Sequence, residues 1–337
     1  MSCEESYIMK LKTKILTIGL TVLLTSPIGC FQKNINGSFS QSTVEAAINT
    51  QNSQSVQLRY FGEPEGFKGS KTPYGNNVSA GHYVQTDDAK IYYEIYGTGE
   101  PIFVFHGGGV GTPYELGSLI DQLHKDHQVI AVSTRGHGRS EIGHTPLSYE
   151  QKANDMITVM RAVTKKPAAI IGFSDGAYTA YKVAAMYPES VDRVVAIGAG
   201  TLKKGFFSGE MNIADLEKID KAFIEQQKKI MPEPERYQEF CTNYMKFWSQ
   251  MEVGRDLLST IKCPVQLIVG DEDDHAPVAT VLEAHQFLPN SRLAVVPKAW
   301  HTAFLDNYPV TWDVINAFIH ADSKTLVSSK KLTMNDR

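Results

Sequence analysis

The sequence predicts an α/β fold in which a mostly parallel sheet of eight strands carries helices on both faces. Short, continuous apolar segments alternate with longer helical patterns, and such strands are typical of a parallel sheet that is buried on both sides. The alternation is interrupted once, where residues 202 to about 258 stay helical and charged. We therefore expect one domain over residues 81–321 with a helical cap at about 202–258.

The predicted elements follow one another as such a sheet requires. An opening hairpin is expected at 82–86 and 90–96, followed by strands at 101–105, 129–133, 168–171, 191–198, 265–269 and 292–296. Helices are expected at 114–125, 149–164, 177–186, 278–288 and about 302–321. Functional groups on a sheet of this kind lie at the carboxyl ends of the strands, so residues just after each strand are the candidates for a site.

Composition excludes several classes of protein. The 337 residues carry a net charge of -4 and no basic stretch studded with aromatic residues, so we do not expect a nucleic-acid partner. There is no C-x-x-C motif and no His/Cys cluster with zinc spacing, and we expect neither a metal nor a cofactor. Cys241 and Cys263 could pair under oxidising conditions, but Cys263 opens an apparent core strand and is favoured as a buried free thiol.

The N-terminus has the pattern of an export signal. Three lysines up to Lys14 precede the apolar stretch 15–24, which is too short to span a bilayer and is followed by small residues. The ending Gly29-Cys30 resembles a bacterial lipoprotein signal and implies lipidation of Cys30, although Pro27 leaves ordinary signal cleavage open. We expect a signal peptide over 1–29, with translation starting at Met9.

The remaining segments complete the expected organisation. Residues 30–80 form a polar tether and an irregular lead-in, and residues 322–337 form a C-terminal tail. With the signal, this layout predicts an exported protein that is periplasmic or anchored to a bacterial membrane through a lipid.

One motif indicates nucleophilic chemistry. Gly172-Phe173-Ser174-Asp175-Gly176 stands between a predicted strand and a predicted helix. G-x-S-x-G in this context forms a turn so tight that only glycine fits beside the serine, whose hydroxyl is thereby exposed. Ser174 is therefore the candidate nucleophile.

A serine hydroxyl needs a base that a carboxylate orients, and in this topology the order along the chain is Ser, acid, His. His301 follows the last predicted strand and is better placed than His275, His285 or His320. The acid is expected after strand 265–269, where four carboxylates crowd one loop and composition alone does not choose among them; they are Asp271, Glu272, Asp273 and Asp274.

Backbone donors for a developing oxyanion are also predicted. Strand 101–105 ends in His106-Gly107-Gly108-Gly109, whose glycines let backbone N–H groups approach a substrate. We expect one donor to be the amide of Gly108, with Gly109 as its neighbour, and the other to be the amide of Asp175.

Taken together, these motifs resemble the α/β-hydrolase superfamily over about residues 82–321. The resemblance includes the HGGG loop, the segment Arg135-Gly136-His137-Gly138-Arg139-Ser140, the serine turn and the closing histidine, whereas Ser133 stands where the family often has Asp. In the family the acid lies three residues after the strand-ending glycine, with a proline four further on. This implies that Asp273 is the acid, with Pro277 in register and Asp271 or Asp274 as reserves.

Two readings remain open for the residue after the nucleophile. The Asp175 carboxylate could simply favour the dipole of its helix, or it could pair with a substrate ammonium. The second reading comes from the similarity of the Gly172–Gly176 turn to valacyclovir hydrolase-like enzymes, which prefer amino-acid esters.

We expect the cap to place aromatic residues over the site. For each of these residues, the alternative is that it only packs the cap onto the core. The candidate pocket residues are Gly109, Phe206, Phe207, Tyr244, Phe247 and Trp248.

The sequence thus predicts a serine hydrolase that cleaves a carboxylic ester or lactone of small to medium size. Amidase or iminopeptidase activity and a macrolide-type lactone esterase remain alternatives, and a lipoprotein whose fold only binds is disfavoured by the complete set of catalytic residues. Chemistry that needs a carboxylate nucleophile is disfavoured because Ser174 occupies that position.

Overall fold

The computed structural model describes residues 58–322, 325 and 326. The expected signal peptide, Cys30, most of the tether and most of the C-terminal tail lie outside the described residues. Within the described part of the chain, no helix has the length and apolar character needed to cross a membrane.

Eight strands form one sheet, as predicted. They are β1 Gly81–Gln85, β2 Lys90–Tyr96, β3 Pro101–Phe105, β4 Gln128–Val132, β5 Ala168–Phe173, β6 Val191–Ile197, β7 Val265–Gly270 and β8 Ser291–Val296. Their spatial order is β1-β2-β4-β3-β5-β6-β7-β8. Strands β3 to β8 run parallel to one another, whereas β2 is antiparallel to both of its neighbours, β1 and β4. The carboxyl ends of β3, β5, β7 and β8 consequently meet at one edge of the sheet.

Helices cover the sheet on both faces. They are α1 Gly117–Leu123, α2 Tyr149–Val163, α3 Asp175–Met186, α4 Ile213–Ile230, α5 Tyr237–Ser249, α6 Arg255–Leu258, α7 Val278–Phe287, α8 Ala303–Asp306 and α9 Tyr308–Ile319. The side chains of a single strand alternate between the two cores, because Phe103 and Phe105 join one cluster and Ile102 and Val104 join the other.

Two predicted helices are not continuous. The helix expected at 114–125 begins with a 3-10 turn, Pro113–Leu116, before α1. The last helix, expected at about 302–321, is broken at Asn307 into α8 and α9. Pro309 lies in the first turn of α9, and since proline has no N–H and clashes with the preceding turn, a single helix cannot run through this position. The proline was visible in the sequence as a signal for this break.

The segment predicted as a cap contains α4, α5 and α6. Its base is closed by a two-way backbone bridge in which Leu202 and Val253 each donate to the other's carbonyl at 2.8 Å. The cap has an apolar core of its own, built around the buried rings of Phe223, Phe240 and Tyr244. Its chain therefore leaves and rejoins the sheet domain at neighbouring points.

Both described cysteines are free thiols. Cys241 is buried in the cap core, whereas Cys263 precedes β7 and is only partly buried. Burial raises the pKa of each thiol to about 12, so neither is a reactive thiolate at neutral pH.

Candidate active site

The turn between β5 and α3 places Ser174 in a strained conformation. Its φ of 52° and ψ of -120° lie in a region that side-chain-bearing residues rarely adopt. The Ser174 amide donates to the Ile197 carbonyl of β6 at 2.7 Å, which helps to hold the turn against the sheet. This backbone conformation places the Ser174 hydroxyl just beyond the carboxyl end of β5.

The two glycines of the turn are required by close approaches of backbone atoms. A Cβ on Gly172 would lie 2.5 Å from the Gly176 carbonyl oxygen, and a Cβ on Gly176 would lie 2.3 Å from the Phe105 carbonyl oxygen. Backbone atoms at these distances cannot move aside without displacing β3 or α3. The G-x-S-x-G spacing is therefore a steric requirement of this turn.

Three side chains from three strand ends form a continuous hydrogen-bonded line. The Ser174 Oγ lies 2.8 Å from Nε2 of His301. Nδ1 of His301 lies 3.0 Å from each carboxylate oxygen of Asp273. The Asp273 Oδ1 also accepts from the backbone amides of His275 and Ala276, at 2.9 Å and 2.8 Å, which fixes the carboxylate in place.

The structure also distinguishes three of the four neighbouring carboxylates, among which composition alone could not choose. The Asp271 carboxylate accepts from the Ala299 amide at 3.1 Å, and Asp274 pairs with Nδ1 of His275 at 2.8 Å. Among the carboxylates of this loop for which contacts are described, Asp273 alone reaches His301. Its side chain is fully buried, as expected for a carboxylate that orients an imidazole.

Burial lowers the pKa of His301 below its usual value, and the neighbouring Asp273 carboxylate opposes this shift. The ring is also packed on both sides, against Phe173 at 4.9 Å and stacked on His275 at 4.7 Å between ring centroids. The lowered pKa keeps the imidazole neutral at neutral pH. This is the protonation state in which Nε2 can accept a proton from Ser174.

The two predicted oxyanion donors are available. Within the described residues, the amides of Gly108 and Asp175 donate to no protein acceptor. The neighbouring loop is held by His106, whose Nδ1 lies 2.6 Å from the Gly107 carbonyl while its Nε2 accepts from the Thr134 amide at 3.0 Å. Burial lowers the pKa of His106 to about 4, so the ring is a neutral support for the loop.

The Asp175 side chain does not face an open pocket. Its carboxylate is 2% exposed and lies 2.5 Å from Nζ of Lys152, a residue of α2. It also accepts from the Tyr244 hydroxyl at 2.8 Å and from the Trp248 indole at 3.2 Å. The cation beside this carboxylate is therefore supplied by the chain itself, at the position that a substrate ammonium would occupy in the second of the two readings.

The candidate pocket aromatics differ in their surroundings. Trp248 lies against the oxyanion loop near Gly108 and Gly109, and Phe207 packs on Trp248 at 5.5 Å and faces His275 at 6.3 Å. These two rings are therefore close to the hydrogen-bonded line of Ser174, His301 and Asp273. The others have different surroundings, because Tyr244 is fully buried, Phe247 packs on Tyr149 at 5.1 Å and Phe206 is 40% exposed.

Sequence reasoning missed two neighbours of the site. Lys152 lies in the first turn of a predicted amphipathic helix, where a lysine normally points to solvent, and no local pattern distinguishes it. Met211 lies against Gly109 from the cap side, in a segment without a regular period. Met211 also lines a surface cavity of about 340 Å³, together with other cap residues that include Glu210, Met245 and Lys246.

Comparison with known proteins agrees with this architecture. A family model described as "alpha/beta hydrolase fold" matches residues 100–226. The chain is 24% identical over 251 residues to "Serine hydrolase BPHL" of Homo sapiens, covering 70% of this chain and 85% of that protein. It is 26% identical over 259 residues to "Putative carbamate hydrolase RutD" of Azorhizobium caulinodans, covering 70% and 96%.

Solved structures show the same fold. The esterase EaEST from Exiguobacterium antarcticum superposes with a TM-score of 0.58 at 20% identity, covering 72% of this chain and all of that one. Together with the eight-stranded sheet and the Ser174 turn, these matches show that the chain has the α/β-hydrolase fold.

We predict that the imidazole of His301 titrates below pH 6.5, because its burial outweighs the Asp273 carboxylate. Asp273→Asn should lower this pKa further, since it removes the negative charge that stabilises the imidazolium. Histidine-selective NMR across a pH series measures both values, with His301→Gln assigning the signal. A midpoint at or above 6.5, or a rise in Asp273→Asn, would contradict this account.

Proposed function

We propose that this protein is a serine hydrolase that cleaves a carboxylic ester or lactone of small to medium size. The observation that carries the proposal is the unbroken line of hydrogen bonds from Asp273 through His301 to the Ser174 hydroxyl. Its position at the carboxyl edge of the sheet, beside two free backbone amides, supports acyl transfer to water.

The chemistry follows from these contacts. The Ser174 oxygen attacks the carbonyl carbon while Nε2 of His301 takes the hydroxyl proton, and Asp273 stabilises the imidazolium that forms. The amides of Gly108 and Asp175 bind the negative oxygen of the tetrahedral intermediate. His301 then donates its proton to the leaving alkoxide, and an acyl group remains on Ser174. Water activated by His301 releases the acid and restores the enzyme.

The surroundings of the site favour an uncharged substrate. The rings of Trp248 and Phe207 and the thioether of Met211 contribute apolar surface near Gly109 and His275. The acidic groups nearby are occupied or neutralised, because Asp175 is paired with Lys152 and burial raises the pKa of Glu115 to about 8. The chain is similar to one protein named as an esterase and to another named as a serine hydrolase, which supports hydrolysis of an ester by a serine nucleophile.

A fluorophosphonate probe should label the purified domain, and Ser174→Ala should abolish labelling because the nucleophile is removed. Ser174→Ala should also lower kcat for an activated ester by roughly 10⁴-fold or more. Ser79→Ala, at an exposed serine away from the site, is the matched control and should be labelled like the wild type. An unlabelled wild type, or equal labelling of Ser174→Ala, would exclude the proposed enzyme.

We predict that neutral esters are cleaved faster than their amino-acid counterparts. The carboxylate next to the nucleophile, Asp175, is already paired with Lys152. A substrate ammonium placed there would be buried without a partner and beside a like charge, and we expect kcat/KM to fall at least about tenfold. The comparison is p-nitrophenyl butyrate against alanine p-nitrophenyl ester, with lactones, macrolides and aminoacyl amides completing the panel. Preference for the amino ester would contradict the argument, and equal turnover of amides would favour the amidase alternative.

We also propose that the protein is exported and lipidated on Cys30. Support comes from the lysines up to Lys14, the apolar stretch 15–24 and the ending Gly29-Cys30. In a bacterial host, palmitate should label the full chain, and globomycin should cause the unprocessed form to accumulate. Cys30→Ser is the control and should remove the label. An unprocessed cytosolic product would refute export, whereas processing without label would leave export and refute lipidation.

A further inference from the structure

A buried ion pair stands directly beside the nucleophile. Asp175 is the residue after Ser174, and its carboxylate lies 2.5 Å from Nζ of Lys152, with both side chains 2% exposed. Removing two charges from water is costly, and the cost is offset only where their remaining hydrogen-bonding capacity is also satisfied. The partners that satisfy this pair are therefore part of what holds it in place.

Those partners come from the cap. The Tyr244 hydroxyl accepts from Nζ of Lys152 at 2.7 Å and donates to Oδ2 of Asp175 at 2.8 Å. The Trp248 indole donates to Oδ1 of the same carboxylate at 3.2 Å. Tyr244 and Trp248 are four residues apart on α5 and so share one face of that helix. The four side chains form what we call the Asp175 network.

The same two cap residues also pack against the backbone of Gly108, in the loop that carries one of the proposed oxyanion donors. A Cβ on Gly108 would lie 2.6 Å from the Trp248 ring, 2.8 Å from the Tyr244 ring and 2.9 Å from Cβ of Asp175. There is thus no free space between the loop and the cap at this point. The residues that carry the two proposed oxyanion donors, Gly108 and Asp175, are both fixed by contacts with α5.

We propose that Lys152, Tyr244 and Trp248 are positioning residues that hold the two oxyanion donors in register with Ser174. This inference rests on the proposed function, since it concerns the donors of that same reaction. Lys152 anchors the Asp175 carboxylate from the sheet domain, and Tyr244 and Trp248 anchor it from the cap. The carboxylate thereby sets the direction of the first turn of α3, from which the Asp175 amide points.

The network has a second consequence for the cap. If α5 moved away from the sheet domain, the Asp175 carboxylate would lose its hydrogen bonds from Tyr244 and Trp248. The buried ion pair would then have unsatisfied hydrogen-bonding capacity, which is costly in a low-dielectric site. Helix α5 consequently stays docked during the reaction, and its contribution to the oxyanion hole is preformed. Preorganised donors are the ones that lower an acyl-transfer barrier, because they need no rearrangement when charge develops.

The test removes one oxygen atom from the network. Tyr244→Phe keeps the ring against Gly108 and deletes the hydroxyl that bridges Lys152 and Asp175. We expect kcat for a neutral ester and the rate of fluorophosphonate labelling to fall about tenfold, less than the loss on deleting a direct donor. KM and the pKa of His301 should not change, because the pocket surface and the Asp273–His301–Ser174 line stay intact.

Tyr237→Phe is the matched control. Tyr237 is a buried tyrosine on the same helix whose hydroxyl has no described partner, so its removal tests the loss of a cap hydroxyl outside the network. Its kcat and labelling rate should equal those of the wild type. Equal losses in both variants, a shifted His301 pKa, or a Tyr244→Phe enzyme that is less stable but keeps its full kcat would overturn the proposal.

Trp248→Phe provides an independent variant should Tyr244→Phe fail to fold. It removes the indole donor from a partly exposed position and keeps an aromatic ring near Gly108. Because the indole bond is the longer one, we expect a smaller fall in kcat, again without a change in the pKa of His301. An unchanged kcat would refute the inference while leaving the hydrolase intact, whereas a wild type that resists every ester and the phosphonate would refute both.

Discussion

The site depends on the turn at Ser174, where three backbone segments approach too closely for any side chain. The Gly172 backbone lies against the start of α3, and the Gly176 backbone lies against the end of β3. These contacts fix β3, β5 and α3 relative to one another, and they force Ser174 to a φ of 52°. The sheet and helix α3 thus hold the Ser174 hydroxyl within hydrogen-bonding distance of Nε2 of His301.

Much of this arrangement could be predicted because it is encoded locally. Most of the parallel strands follow from continuous apolar segments, and their carboxyl ends carry the Gly108 loop, Ser174, Asp273 and His301 in an order that the topology requires. The choice among Asp271, Asp273 and Asp274 was different, since all are similar in composition and only a family pattern favoured one of them. The structure distinguishes them through the contacts each carboxylate makes with His275, Ala299 or His301.

What the sequence could not reveal are contacts between distant segments. Lys152 and Tyr244 are 92 positions apart, and neither has a neighbour pattern that indicates a buried charge. The Asp175 carboxylate could be placed at the start of a helix, but its partners depend on how the cap packs on the sheet domain. Periodicity likewise predicted a final helix without its break at Asn307, although Pro309 was there to indicate it.

The closed base of the cap bears on how such a protein can change over evolution. Because Leu202 and Val253 bridge each other, the insertion leaves and returns at a single point, so a segment of another length could be grafted there without disturbing the strands. A graft of this kind faces one restriction. The Asp175 carboxylate belongs to the sheet domain. A replacement cap without hydrogen-bond donors for this carboxylate would leave a buried charge with unsatisfied hydrogen-bonding capacity. Diversification of the cap is therefore constrained at the two positions of α5 that supply these donors.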